Sequence, residues 1–176
     1  MRYYFLLILI CGLHTANAQR PANPVIADFG TIYDIDEVTL RPDPTIAYNL
    51  IIDVVSGADS PDSLRAGLNN VARMLNLFAV GGVNHDSLEV VLAIHGAATV
   101  GVMDNEMYRE RFGTDNPNLP LLSALKEAGV RITVCGQSLV GRDIPRDRLH
   151  PDVEIATSML TTMAMYMERG YVPMRF

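Results

Sequence analysis

The chain alternates short, continuously apolar runs with stretches in which apolar residues return every three or four positions. The first pattern predicts strands covered on both faces, and the second predicts helices with one buried side. Ala47 to Val55 is the first apolar run. Ser60-Pro61-Asp62 reads as a helix start, with Ser60 as N-cap, Pro61 at the first helical position and Asp62 in the first turn. Leu64, Leu68, Val71, Leu75 and Phe78 then recur at helical spacing until Gly81-Gly82 stops them. Ser87 to His95 is the second strand, built on Val90-Val91-Leu92-Ala93-Ile94. Asn105 to Phe112 is helical, and Leu119 to Ala128 is a helix ended by Gly129. Val130 to Val134 is the third strand and leads directly into Cys135. A polar helix or turn over Gln137 to Arg142 follows, then a short strand over Val153 to Ile155. Ala156 to Arg169 is a helix closed by Gly170, and Tyr171 to Arg175 is the last strand.

Strand and helix alternate throughout, so the class is α/β with a mainly parallel sheet. Residues 19–44 differ from the rest, being rich in proline and aspartate, with room for a short hairpin or edge strand over Ile32 to Leu40. They read as an arm lying on the domain or on a neighbouring subunit, or as a floppy leader. The α/β domain itself spans 45–176. No internal repeat or low-complexity tract interrupts it.

The first 18 residues carry their own pattern: Arg2, an apolar stretch from Tyr3 to Leu13, then Ala16-Asn17-Ala18. This is the pattern of a secretory signal peptide, expected to be cut after Ala18. Its apolar stretch is too short to span a bilayer, so no membrane insertion is expected after cleavage. Export, most simply to a bacterial periplasm, is the expected localisation. The net charge is −6, and no helix carries a Lys/Arg cluster. Nucleic acid and anionic membrane surfaces are therefore not expected partners.

Cleavage would remove Cys11 and leave Cys135 as the sole cysteine. An unpaired thiol in an exported protein asks for a reason. Cys135 ends a β-branched strand and is followed by Gly136-Gln137-Ser138, which can open a helix. Ligand sites of open α/β sheets lie at that edge. Helix amides there would favour the thiolate, the form that attacks sulfur donors and carries a persulfide. The plainer alternative is a small buried hydrophobe. His95, in Ile94-His95-Gly96, ends the neighbouring predicted strand. If those strands are adjacent, both residues face one crevice, where His95 can accept a proton or bind an anion. On its own, His95 reads more plainly as a residue fixing a loop carbonyl.

Several chemistries are excluded or disfavoured. No G-x-S-x-G nucleophile elbow is present: Gly136-Gln137-Ser138 is followed by Leu139-Val140, without the second glycine. No C-x-x-C exists, and Ser56-Gly57-Ala58-Asp59 makes a poor phosphate cradle. His85, His95, His150 and Cys135 are too scattered to argue a zinc site. Met159, Met163 and Met167 fall on one helical face. Such a stripe suits Cu(I), but more often it is core or a subunit contact. No metal and no cofactor is assigned.

Together these segments resemble the DsrE/DsrF-like family, specifically its secreted single-domain members. The resemblance spans residues 45–175. It rests on Leu75-Asn76-Leu77, Ile94-His95-Gly96, Asn116-Pro117-Asn118, Leu125-Lys126-Glu127-Ala128-Gly129-Val130, Val134-Cys135-Gly136-Gln137-Ser138 and Gly170-Tyr171. It implies a three-layer α/β/α fold with a five-stranded parallel sheet, and a homo-oligomer, trimer or hexamer. It also implies a role for Cys135: carrying sulfur as a persulfide between donor and acceptor proteins. On this reading His95 orients the bound group or assists proton transfer. Gly96, Gly136, Gln137 and Ser138 bind the ligand, with Gly136 letting amides approach the sulfur. The alternative is a non-catalytic oligomeric protein that binds a small ligand or acts as a scaffold, with a structural cysteine. A metal-binding protein using methionine and Cys135 is a third reading.

Overall fold

Seven residues from Tyr48 to Val54 form the strand on which the domain is built. The computed structural model describes residues 21–176; the proposed signal peptide and Cys11 lie outside them. Two short strands that pair with each other, β1 (Pro21–Ala22) and β2 (Ile32–Tyr33), precede that strand, β3. Then come α1 (Ala66–Val80), β4 (Leu88–Ile94), a 3-10 segment (Gly96–Val102), α2 (Asn105–Phe112) and α3 (Leu119–Glu127). β5 (Arg131–Cys135), α4 (Gly136–Val140), β6 (Glu154–Ala156), α5 (Met159–Glu168) and β7 (Val172–Arg175) complete the chain. The main sheet runs β6-β5-β4-β3-β7 with every neighbouring pair parallel. This is the five-stranded α/β architecture expected from the alternation.

Side chains alternate across each strand and divide the sheet into two faces. Leu50, Ile52, Val54, Val90, Leu92, Ile94, Ile132 and Val134 point one way. They join Leu68, Val71 and Leu75 of α1 and Leu121, Leu122 and Leu125 of α3 in the main core. The opposite face buries Ile51, Val91 and Ala93 against Tyr166 of α5. Met159 and Met163 pack there too, so two members of the methionine stripe are sheet packing, while Met167 is exposed. α5 lies over β3 and β4.

The direction of the connections sets where strands part at the carboxyl edge of the sheet. β3, β4 and β5 all leave their carboxyl ends for helices on the main-core side, including α4 through Leu139. β6 instead leaves for α5 on the other face. Neighbouring strands whose connections diverge open a crevice between them. That crevice lies between β5 and β6, where Cys135 pairs with Ala156.

Residues 25–30 are clamped to α1. The buried Asn76 side chain accepts from the Val25 and Ile26 amides at 3.0 and 2.9 Å. It donates to the carbonyls of Ile26, Phe29 and Gly30 at 3.3, 3.1 and 3.1 Å. Gly30 has φ +64°, and a Cβ on it would lie 2.3 Å from the Arg73 nitrogen. Only glycine allows this segment so close to the helix.

Some boundaries differ from the sequence reading. α1 begins at Ala66, because Ser60 to Ser63 closes a turn of its own and Tyr108 donates to the Pro61 carbonyl at 2.7 Å. α5 begins three residues later than predicted, since Ser158 turns extended and caps the helix by accepting from Leu160. The 32–40 segment contributes only Ile32–Tyr33 as strand. The 3-10 segment after His95 was not foreseen. β7 ends up beside β3, on the far side of the sheet from β6.

Candidate functional site

Cys135 is the last residue of β5 and the N-cap of α4. Thr133 and Cys135 share one face by strand alternation, the face that α5 covers. The start of α5 therefore meets the sulfur: the Cys135 Sγ–H donates to Ser158 Oγ at 3.9 Å. Two effects oppose each other on this thiol. Burial pushes its pKa up, because a thiolate loses water there. The Met159 amide, the Ser138 hydroxyl and amide, and the Ser158 hydroxyl all favour the thiolate, and together they hold the pKa below the usual thiol value. The residue is only 5% exposed.

Gly136 is required by packing. A Cβ there would lie 2.8 Å from the Ala156 carbonyl oxygen, so any larger residue would push α4 away from β6. The glycine thus keeps the first turns of α4 and α5 together around the sulfur. Gln137 is exposed and lines, with Gly136, Leu139, Ile144, Arg146 and Thr157, an open cavity of about 330 Å³ at the β6 edge. Cys135 is not among its lining residues. Ser138 is the one predicted ligand residue whose polar groups reach the sulfur.

β4 and β5 are adjacent, and their register ends at Ile94↔Val134. His95 and Cys135 are the next residues on each strand, so the topology brings them to one edge. The His95 ring, however, is held by Asp53: Nε2 lies 2.5 Å from Asp53 Oδ1. Arg175 approaches the other carboxylate oxygen, Nε to Oδ2, at 3.5 Å. Gly96 has φ +56°, and a Cβ on it would lie 2.7 Å from Val55 Cγ2. Its work is to turn the chain from β4 into the 3-10 segment.

Asp53, Arg175 and Ser158 escaped the sequence reading. Asp53 did leave a signal, as the single charge inside an otherwise apolar and polar-uncharged strand. Burying a carboxylate is unfavourable without a partner, so such a position points to one. Ser158 was hidden because the predicted helix began before it. Arg175 has no local signal, since only the crossover to β7 brings it to β3.

The family model described as DsrE/DsrF-like matches residues 49–176. The chain belongs to the DsrE/DsrF-like family. That membership suggests a role of the sulfur-relay kind. No curated protein matches. Among solved structures, a protein of unknown function from Methanobacterium thermoautotrophicum is similar, at 16% identity and TM-score 0.57. The match covers 73% of this chain and 99% of that one. The ychN protein from E. coli is similar at 20% identity and TM-score 0.51, with the same coverages of 73% and 99%. At these identities the likeness shows the shared fold.

Proposed function

We propose that this protein is an exported sulfur carrier that holds a persulfide on Cys135. The observation that carries the reading is the ring of donors around a buried strand-end thiol, which favours the thiolate in spite of burial. In the proposed step, the Cys135 proton moves to His95. The thiolate then attacks the terminal sulfur of a donor persulfide, R–S–SH. A new S–S bond forms on Cys135 and the donor S–S bond breaks. Its electron pair leaves on the R–S sulfur, which takes the proton back from His95. The products are Cys135 persulfide and R–SH, with no net oxidation.

Exposed Leu160, Met165 and Met167 on α5, with Val172 on β7, support self-association; the trimer or hexamer is taken from the family resemblance. Light scattering on the purified protein tests the oligomeric state. Amino-terminal sequencing of the exported form tests cleavage after Ala18.

To test the carrier role, the protein is treated with a sulfane-sulfur donor and weighed intact. A gain of about 32 Da per chain, one sulfur atom, is expected on wild type and none on Cys135→Ala. No gain on wild type, or an equal gain on the variant, refutes the role. One observation favours a second reading, in which the cysteine is structural and the protein a scaffold or small-ligand binder: the 5% exposure of Cys135. That reading expects the folded thiol to resist alkylation as long as the chain stays folded.

A further inference from the structure

His95 and Asp53 form a pair that the sulfur chemistry alone does not explain. Asp53 sits on β3 between Ile52 and Val54, both fully buried. The carboxylate and the imidazole side chains are 11% and 19% exposed, and their contact is 2.5 Å. Burying them without a partner would be costly, so each is the other's reason for being there. Arg175 Nε lies 3.5 Å from Oδ2, and Oδ1 faces the histidine.

The contact fixes the chemistry of the ring. An ionised carboxylate only accepts hydrogen bonds, so the nitrogen facing it must carry a hydrogen. In neutral His95 that hydrogen is on Nε2, and the lone pair is on Nδ1. Among the described residues no hydrogen bond takes Nδ1. If Nδ1 is protonated, the imidazolium keeps Nε2–H on Asp53 and its charge is matched.

We infer that Asp53 is a positioning residue: it holds His95 with the hydrogen on Nε2 and leaves Nδ1 as the ring's proton acceptor. This rests on the carrier reading for where the proton comes from, and on geometry alone for the state of the ring. Charged and titratable groups at this edge include Asp53 on β3, Arg175 on β7, Cys135 on β5 and the buried Arg65, whose guanidinium reaches Gly57 after β3.

The test uses the full chain with nitrogen-15 histidine, at a pH where the nitrogen-15 shifts themselves report a neutral ring. His95 signals are assigned by their loss in His95→Gln. The expected wild-type spectrum is Nε2–H, and Asp53→Asn loses that preference because its amide can also donate. Nδ1–H in wild type, or an unchanged Nε2–H form in Asp53→Asn, overturns the inference. A rate measurement separates positioning from a general structural role. Asp53→Asn should slow sulfur transfer to Cys135 by about tenfold or more, and should add nothing to the loss in His95→Gln. A full further loss in the double variant overturns the inference. A wild type that takes up no sulfur refutes the carrier reading, and the ring spectrum then decides the pair by itself.

Discussion

Replacing Asn76 with alanine removes one side chain and five hydrogen bonds at once. Asn76 is 0% exposed, and its partners at Ile26 and Gly30 are buried while those at Val25 and Phe29 are half-buried. The Val25 and Ile26 amides lose their acceptor, and three carbonyls lose a donor. A buried unpaired amide costs about 1–3 kcal/mol. Two of them set a loss of about 2–6 kcal/mol, and relaxation of residues 25–30 toward water brings the expected value to about 2–4 kcal/mol. Against a domain stability of about 5–15 kcal/mol this is a large fraction. Urea unfolding followed by circular dichroism measures it as a fall in midpoint. Limited proteolysis reports where it acts: cleavage within residues 21–40 should precede cleavage of the domain. Because these residues alone let go, the strand core and the thiol environment should persist. A loss below about 1 kcal/mol with unchanged proteolysis refutes the clamp as a main tie of this segment.

Alkylation of Cys135 followed against pH should rise at lower pH than for a free thiol. Ser138→Ala and Ser158→Ala should each move the rise to higher pH, since each removes a group favouring the thiolate; no movement in either refutes that account. Ser158→Ala also loses the cap of α5 and should cost about 1 kcal/mol in urea unfolding. Gly136→Ala should destabilise by about 1–3 kcal/mol, because the Ala156 oxygen that its Cβ meets belongs to backbone; a neutral result shows that α4 can move. His150 is predicted to make the fold acid-sensitive. Burial holds its imidazole below the usual 6.5, with the nearby Asp152 opposing this less strongly. Falling pH therefore protonates the unfolded chain first, and stability drops from the unfolded value down through the lower folded one, with no such loss above it. His150→Gln should flatten that part of the urea midpoint against pH, and an unchanged slope refutes the assignment.

The position of Cys135 was legible because it depends on local rules. A β-branched run followed by glycine and polar residues ends a strand and begins a turn, whatever packs around it. The same holds for α2, whose Asn105–Phe112 bounds match the reading, and for Gly129, whose φ of +77° supplies the stop after α3. The helix starts were less legible. Ser60-Pro61-Asp62 satisfies every local rule for a cap, yet Tyr108, from 47 residues away, binds the Pro61 carbonyl and the helix begins later. A long-range hydrogen bond can outweigh a cap worth about 1 kcal/mol.

Sequence by itself therefore determined the α/β class, the strand-end place of Cys135 and the strand-end place of His95. Each follows from periodicity and from residues close along the chain. Tertiary structure decided which groups meet there. Asp53 and His95 are 42 residues apart, Cys135 and Ser158 are 23 apart, and Arg175 reaches Asp53 only because β7 crosses to the far side of β3. No local pattern encodes those distances. They arise when the strands fix their order and when β6 sends its helix to the opposite face, bringing the start of α5 onto the sulfur.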